Sequence, residues 1–260
     1  MTVDLFRLDG KIAAIIGAGS GIGAAVAAGA AEQGATVVSL DLDGGAAAKV
    51  AGQIGPAASA ASMDIRDARA VNDVLGRVVA DYGQLDIVVC TPSINVRKPL
   101  LQYTSGEFDD LVALNLKGSF HVVQAAGRIM TAQGFGSIVV FASIRAQVVE
   151  PGQAVYAMTK AGIVQLVRGA AAEFGASGVR VNAIAPGIVD TALTRQIKNN
   201  PAWHRAYAEK SVLKRWARAE ELVGPTLFLV SDAASYVTGT ILFADGGWTA
   251  ADGRFTPPGM

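Results

Sequence analysis

The chain has 260 residues, a formal net charge of zero, 51% hydrophobic residues and one cysteine, Cys90. This balance excludes a disordered chain, a strongly basic nucleic-acid binder and a domain stapled by internal disulfides. The length fits one large α/β domain or two small ones. No uninterrupted apolar run reaches the ~20 residues of a membrane span. Met1 to Lys11 lacks the basic and then apolar order of a signal peptide, so a cytoplasmic protein without membrane contact is expected. The only histidines, His121 and His204, lie far apart in sequence, and no metal site is expected.

Lys11 to Ile16 is a short apolar run that predicts a buried parallel strand. It leads into Gly17-Ala18-Gly19-Ser20-Gly21-Ile22-Gly23 and an Ala-rich helix to about Gln33. Strand, glycine turn and helix form a phosphate-binding arrangement, because glycines admit close backbone approach and the helix start offers free N–H groups. The spacing is G-x-x-x-G-x-G over Gly17, Gly21 and Gly23, not G-x-G-x-x-G, since position 22 is Ile. Ala35 to Leu40 predicts a second strand that ends at Asp41. An acid about twenty residues past the turn can accept bonds from an adenosine ribose. It repels a 2′-phosphate, no Arg or Lys adjoins it, and Ser20 stands where a cation would bind that phosphate, so NAD is expected over NADP. A helix cap or loop acid is the other reading of Asp41.

A helix is predicted over Gly44 to Ile54, a third strand to about Met63, and a helix opening at Asp64-Ile65-Arg66-Asp67. Leu85 to Val89 predicts a fourth strand running into Cys90-Thr91-Pro92-Ser93. Alternation of strands and helices implies crossovers and a parallel sheet, whose ligands bind outside the carboxyl ends of its strands. One long helix is predicted from Ser105 to about Thr131, with Asn115 inside it, and a fifth strand from Gly136 to Phe141, ending at Ala142-Ser143. The next helix contains Tyr156 and runs to about Phe174. It is apolar nearly all round, which predicts burial on both sides, one against the sheet and one against a second subunit. A sixth strand follows from Val179 to Ile184, ending at Pro186-Gly187. In the irregular stretch from Thr191 to Arg218, seven basic residues (Arg195, Lys198, Arg205, Lys210, Lys214, Arg215 and Arg218) face one acid, Glu209. This reads either as a solvated surface or as a lid over an anionic substrate. A last helix is predicted over Glu220 to Val230 and a last strand over Ile241 to Ala244.

Tyr156 and Lys160 are four residues apart, so in a helix they share one face. A nearby ammonium favours the phenolate and would lower the phenol pKa from its reference of about 10 by roughly 1–3 units. A phenol so tuned can exchange a proton with an alcohol or ketone oxygen.

Together these motifs resemble the short-chain dehydrogenase/reductase family over almost the whole chain. Gly17, Gly21 and Gly23 match its glycine motif, Asn115, Ser143, Tyr156 and Lys160 its catalytic tetrad, and Pro186-Gly187 the turn under the nicotinamide. The resemblance implies a Rossmann-type doubly wound α/β fold, with about seven parallel strands and helices on both faces. It implies one dinucleotide-binding catalytic domain over residues 1–260, a substrate lid around 188–218, and a homotetramer. Tyr156 would be the general acid/base and Lys160 would lower its pKa and bond the nicotinamide ribose. Ser143 would bond the substrate oxygen, and Asn115 would hold a relay water. NAD would contact Gly17, Ser20, Gly21, Ile22, Gly23, Asp41, Asp64, Ile65, Cys90, Tyr156, Lys160, Pro186, Gly187, Ile188 and Thr191.

Two departures stand out. Ile16 replaces the usual Thr before the first glycine, and Cys90-Thr91-Pro92-Ser93 replaces Asn-Asn-Ala-Gly. Pro92 removes an N–H, and Ser93 is disfavoured where Gly would take a positive φ. Ile94-Asn95-Val96-Arg97-Lys98-Pro99 resembles the gluconate 5-dehydrogenase branch, and Gly247 to Arg254 resembles sugar and sugar-acid dehydrogenases of the family. Arg97 and Arg145, together with Ser143 and Tyr156, are then the expected substrate contacts, the arginines pairing with a carboxylate; ordinary loop charges are the alternative for Arg97 and Lys98. The implied reaction is NAD-linked interconversion of a secondary alcohol and a ketone on a polyol or sugar acid. The rivals are a 3-oxoacyl-thioester reductase, against which Ser20 and Asp41 argue, and a catalytically silent nucleotide-binding regulator.

Overall fold

The computed structural model describes residues 4–251. Of the tail compared above with sugar dehydrogenases, Asp252, Gly253 and Arg254 lie outside the described residues. Seven strands form one sheet, all parallel, in the order β3-β2-β1-β4-β5-β6-β7. They are β1 Ile12–Ile16, β2 Thr36–Asp41, β3 Ala58–Ser62, β4 Ile87–Cys90, β5 Gly136–Phe141, β6 Val179–Pro186 and β7 Ile241–Ala244. The strands are short apolar runs because both sheet faces are covered, and their residues alternate between two cores. Ala14 and Ile16 of β1, with Val88 and Cys90 of β4, enter one core. Ala13, Ile15, Ile87 and Val89 enter the other. The first core is completed by α3 (Ala68–Tyr82), α5 (Ser119–Gln133) and α6 (Ala154–Phe174), the second chiefly by α1 (Gly21–Glu32) and α9 (Val223–Val230). Of the remaining helices, α2 is Gly44–Ile54 and α4 is Ser105–Leu111. Strand order reverses direction between β1 and β4, and a crevice opens there at the carboxyl ends.

Three predicted helices differ in detail. The helix expected to open at Asp64 begins at Ala68, because Asp67 caps it by accepting from the N–H groups of Arg69 (2.8 Å) and Ala70 (3.3 Å). The long helix from Ser105 is interrupted: between α4 and α5, Val112–Gly118 is a π-helical stretch with Asn115 at its centre. The last helix starts as a 3-10 turn at Ala219–Leu222 and becomes α-helical only at Val223, so Pro225 falls in its first turn, where its missing N–H costs nothing. Among the described residues no helix is long and apolar enough to cross a membrane.

The basic stretch is two short helices, α7 (Arg195–Lys198) and α8 (Pro201–Lys210), followed by a turn. Its charges are less free than the local count suggests. Lys198 pairs with Asp190 and Arg215 with Glu221, both acids outside the stretch, and Lys210 lies 6.0 Å from the Trp248 ring.

The glycine turn is fixed by close packing. Gly17 has φ +83°, and its N–H and that of Ala18 bond Leu40 O at 2.8 and 3.0 Å, tying the turn to β2. A Cβ on Gly23 would fall 2.1 Å from Gly17 O. Gly23→Ala should therefore destabilise the protein by about 1–3 kcal/mol, measured by urea denaturation, because the atom it meets is backbone and cannot swing aside.

Candidate active site

The carboxyl ends of β1, β4, β5 and β6 deliver the candidate residues to two adjoining hollows. The first is a groove over the glycine turn, lined by Gly17, Ser20, Gly21, Ile22, Gly23, Asp41, Asp64 and Ile65. No side chain caps α1 and no acid occupies its first turn, so the helix start is left electropositive and uncapped toward a ligand. Asp41 Oδ2 accepts from Gly19 N (2.9 Å) and Oδ1 from Asp43 N (3.0 Å). A carboxylate has about four acceptor positions, so Asp41 holds the turn and retains capacity for a ribose. These features fit a dinucleotide with its pyrophosphate at the helix start. Asp64 is also committed to a neighbour: it pairs with Arg66 at 2.8 Å, which lowers its pKa.

The second hollow is a cleft lined by Ser143, Arg145, Tyr156, Lys160, Pro186, Gly187, Ile188 and Arg97; Ile22 and Thr191 line both hollows. Ser143 follows β5 in extended conformation. Its oxygen accepts from Arg145 N at 3.1 Å, and its O–H is left to act in the cleft. Tyr156 and Lys160 stand one turn apart in α6, 7% and 1% exposed, with the Lys160 Nζ 5.6 Å from the phenol ring centre. Nζ donates to Phe141 O at 2.8 Å, which draws the long side chain under the end of β5.

Burial governs the electrostatics. It pushes the Tyr156 phenol above its ordinary pKa, against the opposing pull of Ser143, Ser93 and the charges of Arg97 and Arg145. The net direction is thus opposite to the lowering expected from a nearby cation, because burial outweighs the neighbouring charges. The same burial drops Lys160 to about 8, so near that pH it is a weakened cation.

Asn115 lies in neither hollow and is fully buried. Its Oδ1 accepts from Ile94 N (2.9 Å) and Ser93 Oγ (3.3 Å), and its Nδ2 donates to Ile94 O (2.9 Å) and Thr159 Oγ1 (3.3 Å). The amide is saturated. Its main-chain carbonyl accepts from Ser119 Oγ at 2.7 Å. The side chain therefore clamps the loop after β4 to α6.

Two further expectations change. Cys90 does not face the groove: strand alternation sends it into the core beside Val88, 2% exposed, where burial raises its pKa to about 11. Thr91, Pro92 and Ser93 line the groove in its place. Ser93 has no positive φ, so the strain expected there is absent; its hydroxyl reaches Asn115 and acts on Tyr156, a role not foreseen from the sequence. Arg145 is not free for a carboxylate, because it pairs with Glu150 at 2.5 Å. Lys98 pairs with Glu107 at 2.5 Å and does not line the cleft. Arg97 differs from both. It is partly buried, its Nε has no hydrogen-bond partner, and its Nη1 reaches only Leu193 O at 3.3 Å. None of the seven cations between Thr191 and Arg218 lines the cleft.

The family model described as enoyl-(acyl carrier protein) reductase matches residues 17–249. The gluconate 5-dehydrogenase of Gluconobacter oxydans (strain 621H) is 36% identical over 256 residues, covering 95% of this chain and 98% of that protein. The chain belongs to the short-chain dehydrogenase/reductase family. The D-threitol dehydrogenase of Mycolicibacterium smegmatis is similarly close, at 37% over 255 residues, covering 96% of this chain and 97% of the relative. Among solved structures, a gluconate 5-dehydrogenase from Burkholderia cenocepacia J2315 in complex with NADP and tartrate superposes with a TM-score of 0.93 at 35% identity, covering 96% of this chain and all of that one. As a short-chain dehydrogenase/reductase, the protein is an oxidoreductase of secondary alcohols and ketones that uses a nicotinamide dinucleotide.

Asn115→Ala should cost about 1–3 kcal/mol or more in urea denaturation, since it strands the Ile94 N–H and C=O. An Asn115 that served only a proton relay would leave stability unchanged.

Proposed function

We propose that the protein interconverts a secondary alcohol and a ketone on a sugar acid or polyol, with NAD as its dinucleotide. The observation that carries the reaction is the buried Tyr156 hydroxyl, flanked by Ser143 and Lys160 in a cleft that adjoins the glycine-turn groove. The dinucleotide, held by Gly17, Ser20, Gly21, Ile22, Gly23, Asp41, Asp64, Ile65, Pro186, Gly187, Ile188 and Thr191, supplies the hydride acceptor or donor. Ser143 donates to the substrate oxygen and orients it. Tyr156 gives a proton to that oxygen in reduction and takes one in oxidation. Lys160 supports the phenolate and bonds the nicotinamide ribose, and Asn115 is the residue that holds the water relaying its proton to solvent.

Asp41 supports NAD, because its carboxylate at the groove repels a 2′-phosphate. The NADP-bound relative makes cofactor choice the first quantity to measure. Arg97 supports an anionic substrate: of the two arginines in the cleft it is the one with no carboxylate partner among the described residues, and Lys160, the other cation there, is drawn to Phe141 O. Residues 188–218 act as a lid over this cleft, contributing Thr191, Leu193, Thr194 and Tyr207 to its lining. A homotetramer is the assembly we favour, with Phe120 and Met158, 43% and 44% exposed in one chain, covered by other copies.

Tyr156→Phe should cut kcat by about 10²–10⁴-fold while NADH binding, followed by fluorescence, is retained; an active variant sinks the mechanism. An absorbance screen of polyols, aldonates and 3-oxoacyl thioesters should find kcat/KM with NAD at least about tenfold above NADP, a difference worth ~1.4 kcal/mol. The reverse preference overturns the Asp41 argument, and turnover of thioesters alone replaces the sugar-acid reading.

A further inference from the structure

Three polar side chains enter the cleft from separate parts of the chain. Arg145 stands two residues after Ser143, Gln153 three before Tyr156, and Tyr207 in α8. All three are bonded to one carboxylate that does not itself line the cleft. Arg145 Nη2 donates to Glu150 Oε2 at 2.5 Å, and Gln153 Nε2 and Tyr207 Oη both donate to Glu150 Oε1. The network continues on its far side. Gln153 Oε1 accepts from Asn95 Nδ2 at 2.6 Å. The Arg145 guanidinium lies 5.4 Å from the Trp248 ring, and Tyr207 packs on the same ring, also at 5.4 Å.

We propose that Glu150 is a positioning residue that latches α8 to the loop between Ser143 and Tyr156, and that by neutralising Arg145 it leaves Arg97 alone to read a substrate anion. The chemistry follows from the bonds. A substrate carboxylate could take Arg145 in bidentate geometry only by displacing Glu150, which is already in place on a guanidinium side chain only 6% exposed. Arg97 requires no such displacement, and its Nε is a buried donor without a partner. Tyr207 supports the latch: burial, and then its bond to Glu150, raise its pKa to about 12, so its hydroxyl stays a donor at any working pH. Lys160 is drawn under β5 to Phe141 O, so the substrate side of the cleft presents one unpaired guanidinium, Arg97, which suits a monocarboxylate. Loss of the Glu150 charge would expose a second cation and favour a dicarboxylate.

The role of Arg97 rests on the sugar-acid reading; the latch does not. The test uses whichever alcohol the enzyme oxidises, with acetate and malonate as competitive inhibitors carrying one and two carboxylates. In Glu150→Gln, malonate Ki should fall by about fivefold or more, while acetate Ki moves less than about twofold. Equal malonate and acetate shifts, or none, overturn the proposal. Tyr207→Phe, which keeps the charge pair, gives an independent reading should Glu150→Gln fail to fold. It should raise KM by about three- to tenfold with kcat held within about twofold, and an unchanged KM overturns the latch. In the double variant the two KM effects should be non-additive, and additive effects count against the proposal. If Arg97→Ala leaves acetate inhibition untouched, the sugar-acid reading falls, and the malonate ratio in Glu150→Gln still decides the latch.

Discussion

The site depends on the dryness of two ionisable groups. Lys160 of α6 reaches under the end of β5, next to the core that Ile163 and Val167 share with β4, β5 and β6, and Tyr156 one turn earlier is buried against Leu111 and Val155. Packing there removes water from both groups and disfavours both charges. A phenol kept neutral is a ready proton donor to a ketone. An ammonium weakened to about 8 is close to exchanging its own proton. The hydroxyls of Ser143 and Ser93 and the guanidinium groups of Arg97 and Arg145 pull the phenol the other way. Tyr156 is therefore poised by opposing influences and not by one neighbour.

Sheet topology explains why these groups meet a dinucleotide. Parallel strands send every carboxyl end to one edge, and the reversal of strand order between β1 and β4 parts the crossovers there. The uncapped start of α1 and the carboxylate of Asp41 lie on one side of that gap, and the ends of β5 and β6 on the other. Asn115 joins the two sides. Its saturated amide fixes the loop after β4, and the π-helical stretch around it gives the helix the offset that lets this amide reach Ile94 and Thr159.

Much of this was legible in the residues. Apolar runs marked the strands, the glycines marked the turn, and the four-residue spacing of Tyr156 and Lys160 marked a shared face. What escaped depends on distance in space. A π-helical stretch has no sequence period of its own. The acids that neutralise Lys198 and Arg215, Asp190 and Glu221, lie just outside the basic stretch that made those cations look free. Glu150 carries no motif, and its importance appears only where three chain segments converge on it. The direction of the Tyr156 shift needs burial, which spacing does not report. Cys90 was readable: the two-residue alternation with Val88 already pointed it inward.

The most direct test of the account is the pH dependence of kcat/KM in both directions. Oxidation needs the ionised phenol, so a pKa raised by burial moves its rising limb to alkaline pH. Reduction needs the neutral phenol and should hold its rate from neutral pH downward. The account predicts oxidation that climbs well past neutrality and reduction that falls over the same range. Oxidation already at its plateau below neutral pH, with no alkaline rise, would contradict it.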